Sequence, residues 1–100
     1  MVIKWSEFAI ANLQDFLKYS NLYDPKVYVK GLVHSIYLLE QQPKMGKVLF
    51  EVNNVQTRQL IHKMHRIIYR IVENQIHIGA VLHVSQDLES SIRFVETFFK

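Results

Sequence analysis

Residues 62–71, "HKMHRIIYRI", decide how the rest of the chain is read. From Arg66 onward charged or polar residues alternate with apolar ones, the period-two pattern of a half-buried strand. Ile67, Tyr69 and Ile71 point to one side of such a strand, and Arg66, Ile68, Arg70 and Val72 to the other. Leaving three large side chains in water forfeits roughly 1.5–3 kcal/mol each. The first set is therefore expected against a packed layer of helices. Arg66 and Arg70 then fall on an open face, about 13 Å apart by strand rise. Either that face is simply solvated, or it is a cationic surface that grips something anionic.

Moving outward, residues 56–63 alternate in the same way (Arg58, Leu60, His62) and are joined to the 65–72 strand by a tight connection at Lys63-Met64. Glu73-Asn74 forms a polar turn, and a further strand is predicted over 75–83, with His77, Gly79, Val81 and His83 sharing a face. Connections this short imply antiparallel neighbours. A ragged strand over 48–52 precedes them. In the first half, Val2-Ile3-Lys4-Trp5 reads as a short strand and Ser6 as a helix cap. Ala9, Leu13, Phe16 and Leu17 recur at helical spacing, giving a stripe that runs to about Leu22. Asp24-Pro25 starts a second helix, whose stripe is Val29, Leu32, Val33, Ile36 and Leu39 and which Pro43 and Gly46 end. Gly31 is expected at a close crossing with the first helix. Residues 85–99 form a last helix with Leu88, Ile92, Val95 and Phe99 on its stripe.

This order predicts an α+β fold: an N-terminal strand and an antiparallel helical hairpin packed on a small antiparallel sheet, with a C-terminal helix. Residues 1–100 make one domain.

The chain has 49% hydrophobic and 21% charged residues, no cysteine and a formal charge of +3. That composition suits a soluble globular domain and argues against disorder or a disulfide scaffold. No apolar run approaches the roughly 18 residues of a membrane helix. A cytoplasmic protein with no membrane partner is expected. Residues 58–70 carry Arg58, Lys63, Arg66 and Arg70 with no acidic residue, a local positive field that suits phosphate or an acidic protein. There is no P-loop, GxGxxG, GxSxG or HExxH pattern, and neither metal nor cofactor is expected. A histidine-lined basic sheet face could handle RNA, with arginine stabilising charge, histidine moving protons and Glu51 serving as a base.

Four stretches in order resemble the RelE/ParE superfamily of toxins from bacterial type II toxin–antitoxin systems. They are "IKWSEFAIANLQDFLKY", "LLEQQPKMGK", "RQLIHKMHRIIYRI" and "IHIGAVLHVSQDL", which together span most of residues 1–88. The resemblance implies a helical hairpin on a small antiparallel sheet and neutralisation by a cognate antitoxin. It also implies one of two targets. ParE-like members poison DNA gyrase; RelE-like members cut messenger RNA on the ribosome, without a metal. Whether the protein is an enzyme depends on which applies.

Carried over residue by residue, Arg66 matches the arginine that contacts the scissile phosphate in ribonuclease members. No tyrosine follows Tyr69, so the late tyrosine of RelE active sites has no counterpart. A late histidine serves other ribonucleases, which leaves Arg66, His83 and Glu51 as the catalytic set of that alternative. The ending with His83 and Asp87-Leu88 looks ParE-like, and gyrase poisoning is the favoured reading. Arg58, Arg66, Arg70, His83, Ile92 and Phe98 are the expected contacts with target or antitoxin, with Glu51 or Glu73 as an internal partner for Arg70. Ser85-Gln86 stands where the family usually carries arginine, so an inactive relative is the third reading. The apolar tail could dock on the core, or present an edge to an antitoxin helix, to gyrase or to a second copy.

Overall fold

A computed structural model describes residues 1–100. The elements are β1 (Val2–Trp5), α1 (Glu7–Tyr19), α2 (Pro25–Tyr37), a 3₁₀ turn (Leu38–Glu40), β2 (Lys47–Val48), β3 (Thr57–His62), β4 (His65–Val72), β5 (Gln75–His83), α3 (Leu88–Ile92) and α4 (Val95–Phe98). The strands form one five-stranded sheet in the order β1-β5-β4-β3-β2. The architecture is α+β, as the sequence predicts.

Local chemistry explains most boundaries. The Ser6 hydroxyl accepts the Ala9 amide at 3.0 Å and donates to the Gly79 carbonyl at 2.8 Å, so one side chain caps α1 and fixes it to β5. Proline opens α2, but Asp24 makes no capping hydrogen bond, and the fixed φ of Pro25 starts the helix without it. The β3–β4 hairpin turns through Lys63-Met64, with Lys63 at φ 49°. The β4–β5 hairpin turns through Glu73 (φ 49°) and Asn74 (φ 63°), the pair of left-handed residues that a tight two-residue hairpin requires.

On β4, Ile67 and Tyr69 face the helical hairpin, packed with Ala9, Leu32, Ile36, Leu39, Ile76, Ile78 and Val81. The other face is not open. Ile68 packs there with Leu49, Ala80, Leu82, Val95 and Phe98, because the C-terminal segment folds across it. Arg70 is consequently only 8% exposed. The arginine pattern predicted an open face; the apolar tail supplies a second layer instead.

Other expectations are also corrected. The sheet is mixed: β1 runs parallel to β5, since the hairpin carries the chain to the far edge and the meander brings β5 back beside β1. The strand expected over 48–52 shrinks to Lys47–Val48. Gly31 meets no part of α1; a Cβ there would lie 3.8 Å from the His62 ring. The last helix breaks at Arg93-Phe94 into two short pieces. On β5, Tyr69 opposes Ile78 while Ile68 opposes Ala80, leaving Gly79 as a bulge. The bulge turns His77 and Gly79 away from Val81 and His83, so those four residues do not share a face. Asn12 of α1 accepts the Val81 amide there at 2.9 Å.

Candidate functional site

Arg58 on β3 pairs with Tyr69 across the ladder and turns its guanidinium onto the loop before β2, donating to the carbonyls of Gly46 (2.7 Å) and Lys44 (3.3 Å). Its Nε is buried without a partner. The Tyr69 hydroxyl donates to the Pro43 carbonyl at 2.8 Å and accepts the Gly46 amide at 3.0 Å, and burial raises its pKa. Both side chains thus fix the loop that carries Lys44 and leads into Lys47 of β2.

Arg66 lies across from Ile61 and donates to Gln59 Oε1 at 2.6 Å. It borders a groove of ≈ 390 Å³ lined also by Met45, Lys47, Leu60 and Ile61. Arg66 and Lys47 are the cations of that groove.

Arg70 has the opposite fate. Its Nε donates to Thr57 Oγ1 at 2.7 Å, its two terminal nitrogens grip the Glu96 carboxylate, and its guanidinium lies 4.3 Å from the Phe99 ring centroid. The partner is Glu96, neither Glu51 nor Glu73. The bidentate contact holds the Glu96 carboxyl below its ordinary pKa. Phe98 is 4% exposed and stacks on Phe8 at 4.9 Å, and Ile92 packs against the same cluster. The tail docks on the core.

His83 stands on the hairpin side, where it opposes His65. Its Nδ1 lies 2.7 Å from Ser85 Oγ and accepts the Ser85 amide at 3.0 Å. Glu51 is exposed in the β2–β3 loop beside Leu88, Ile92 and Arg93. Arg66 and His83 therefore leave opposite faces of the sheet, on β4 and at the end of β5, and Glu51 belongs to the loop between β2 and β3.

Two features escaped the sequence reading. The first is an imidazole cluster at the β3–β4 turn. The Tyr28 hydroxyl lies 2.8 Å from His65 Nδ1 and 3.1 Å from the His62 carbonyl oxygen, and accepts the Met64 amide. His62 Nδ1 is 2.8 Å from Ser35 Oγ; the His65 ring meets Phe16 and His83 edge-on. Burial lowers the pKa of both His62 and His65, and nearby positive groups lower them further: Lys63 for His62, His83 and His62 for His65. No acidic side chain pairs with any of them. His62 and His65 flanking a two-residue turn was the available signal. No group of three or more His, Asp or Glu side chains is placed to hold a metal ion.

The second is an apolar groove of ≈ 390 Å³ on the outside of the helical hairpin, lined by Trp5, Ile10, Leu13, Leu17, Val29, Val33 and Tyr37. On the apolar stripes read from the sequence, Ala9, Leu32 and Ile36 are fully buried and Leu13 and Val33 pack against the core from its margin. Leu13, Leu17, Val29 and Val33 also line the groove, with Leu17 39% and Tyr37 51% exposed. The signal was apolar residues too numerous for one stripe: Ile10 and Tyr37 lie off it.

Residues 3–88 match the family described as the ParE toxin of the type II toxin–antitoxin system parDE. The chain belongs to the ParE toxin family. Among solved structures it is similar to the chromosomal ParDE toxin–antitoxin system of P. aeruginosa, with a TM-score of 0.59 and 18% identity over 85% of this chain and 97% of that one. No curated protein matches the sequence. The family match ends at residue 88, where α3 begins, so Arg58, Arg66, Arg70 and His83 lie inside it while Ile92, Glu96 and Phe98 lie beyond it. No helix is long and apolar enough to cross a membrane.

Proposed function

We propose that this ParE-family chain is the growth-inhibiting toxin of a toxin–antitoxin pair, that it acts in the cytoplasm by binding and poisoning DNA gyrase, and that a cognate antitoxin neutralises it. The observation that carries the reading is the dispersal of Arg66, His83 and Glu51. Metal-free RNA cleavage needs a base, an acid and a charge-stabilising group within hydrogen-bond reach of one phosphodiester. Here Arg66 and His83 project from opposite faces of the sheet, His83 has one ring nitrogen committed to Ser85, and Glu51 belongs to a different loop. A binding toxin needs no such convergence. Arg58 and Arg66 with Lys47 give it a basic edge.

The antitoxin half of the reading is supported by the groove between α1 and α2. An amphipathic helix laid into it would cover Ile10, Leu17 and Tyr37, which are 39–51% exposed.

The deciding experiment is induced expression in bacteria lacking the antitoxin, with mapping of message 5′ ends and a DNA-damage reporter. Damage signalling with intact messages is the expected result. Cuts within translated codons would overturn the reading in favour of a ribosome-dependent nuclease centred on Arg66. Normal growth with folded protein would mean an inactive relative, the outcome to which Ser85-Gln86 points.

A further inference from the structure

The tail side of the sheet is a binding slot whose present occupant is the chain's own C-terminus. The slot consists of apolar residues from the strands and the β2–β3 loop (Leu49, Ile68, Ala80, Leu82), the Phe8 ring of α1, and Arg70. Its occupant supplies Val95, Phe98 and Phe99 to the apolar part and Glu96 to the arginine. The fit is specific at two points. Gly79 is cut away for the Phe99 ring, since a Cβ there would lie 2.6 Å from it. The Arg70 guanidinium meets both Glu96 oxygens while Thr57 holds its Nε.

The occupant is weakly tied to the rest of its own chain. Residues 83–87 are all exposed; Ser85 and Gln86 bond to His83, Asp87 bonds forward to Glu89, Ser90 and Ser91 of α3, and the Val84 amide reaches back to Met64. The helices beyond them have five and four residues, well short of the roughly 12–15 at which an isolated helix holds in water. The tail is therefore ordered by the slot and not by itself. When it leaves, five apolar side chains (Leu49, Ile68, Ala80, Leu82 and Phe8) and an arginine lose their cover together.

We infer that the slot accepts the C-terminal segment of a second copy of this chain, so that two copies exchange tails into a dimer in which Glu96 of each pairs with Arg70 of the other. A second copy brings residues that already match the cut at Gly79 and the charge of Arg70. Every tail contact is then remade between chains, and the opposing terms are the loss of translational freedom and the rearrangement of residues 83–87. The formal charge of +3 on each copy is a small repulsion that salt screens.

The test is charge complementation between whole chains. Arg70→Glu and Glu96→Arg are purified separately and mixed, and the masses are read by native mass spectrometry and light scattering. Alone, each variant sets like charges against each other in its slot whether the tail comes from itself or from an identical copy. In an exchanged mixed dimer both slots hold opposite charges. The glutamate introduced by R70E faces the arginine introduced by E96R, and the native Arg70 of the second variant faces the native Glu96 of the first. The expected result is a mixed dimer at least tenfold more abundant than either variant's own dimer. Two monomer populations that do not combine would overturn the inference. Should a single variant fail to fold, deletion of Ser85 and Gln86 in the wild-type chain decides, because a shortened segment cannot return the tail to its own slot. A folded dimer supports exchange; a folded monomer with a protease-sensitive tail overturns it.

Discussion

At the scale of single residues, the same amino acid does different work according to where along one strand face it stands. Arg66 reaches a partly exposed edge and Arg70 is sealed under the tail, although four positions separate them on one face. Arg70→Ala is expected to destabilise the fold by about 1–3 kcal/mol, since it strands Thr57 Oγ1, frees Glu96 and leaves Phe99 without its cation. Glu96→Gln should cost less than about 1 kcal/mol, because the Glu96 side chain is 70% exposed and water replaces much of the interaction. Equal losses in urea denaturation would contradict this ranking. Two glycines divide in the same way. A methyl at Gly46 would lie 2.6 Å from the Gln59 carbonyl and 2.7 Å from the Tyr69 hydroxyl, and neither can retreat, so Gly46→Ala should cost on the order of 1–3 kcal/mol. Gly31→Ala meets only ordinary contacts in a helix interior and should raise stability by up to about 1 kcal/mol.

At the scale of elements, the imidazole cluster ties the β3–β4 hairpin to α2 and makes that junction sensitive to protons. The folded pKa values of His62 and His65 lie below the ordinary value of 6.5, so the unfolded chain binds protons more readily. Their contribution to stability is present above about pH 6.5 and is lost as pH falls through the folded values. A thermal midpoint that drops between neutral pH and pH 5, with a shallower drop in His65→Gln, is the expected outcome; an unchanged slope in the variant would show that the pH dependence lies elsewhere. What the sequence revealed about these elements depended on how local their causes are. The capping of α1 by Ser6, the start of α2 at Pro25 and both tight turns of the β3–β5 meander rest on a few consecutive residues and are readable from them. The parallel seat of β1, the bulge at Gly79 and the cover over Arg70 rest on contacts with residues far along the chain. Alternation alone carries no sign of which strand face a later segment will close. The same limit explains why Arg66 and His83 were legible as individual chemistry while their relative placement was not: the extra residue Gly79 on β5, opposite Ile68 and Tyr69, decides which face His83 takes.

At the scale of the whole molecule, the two faces of the helical hairpin have separate duties. Its inner face fills the core with Ala9, Leu32 and Ile36, and its outer face leaves the apolar groove. A charge placed in that groove should therefore spare the fold. Leu17→Glu is expected to keep the wild-type thermal midpoint within a few degrees and growth arrest on induction, while co-expressed antitoxin no longer restores growth. Full rescue would place antitoxin docking elsewhere, and the groove would then be a packing imperfection without a partner.

The parallel pairing of β1 with β5 also bears on when the protein can exist during its synthesis. Ser6 finds its acceptor on Gly79, 73 positions later, and β1 has no other strand beside it. The first strand must wait for nearly the last one, and the closure of so long a loop precedes any reward from the contacts it makes. With translation at roughly 5–20 residues per second, the helical hairpin is exposed for several seconds before its sheet is available. A nascent chain thus presents its apolar helices well before it presents a finished fold, and the moment of greatest vulnerability to capture precedes the moment at which the sheet closes.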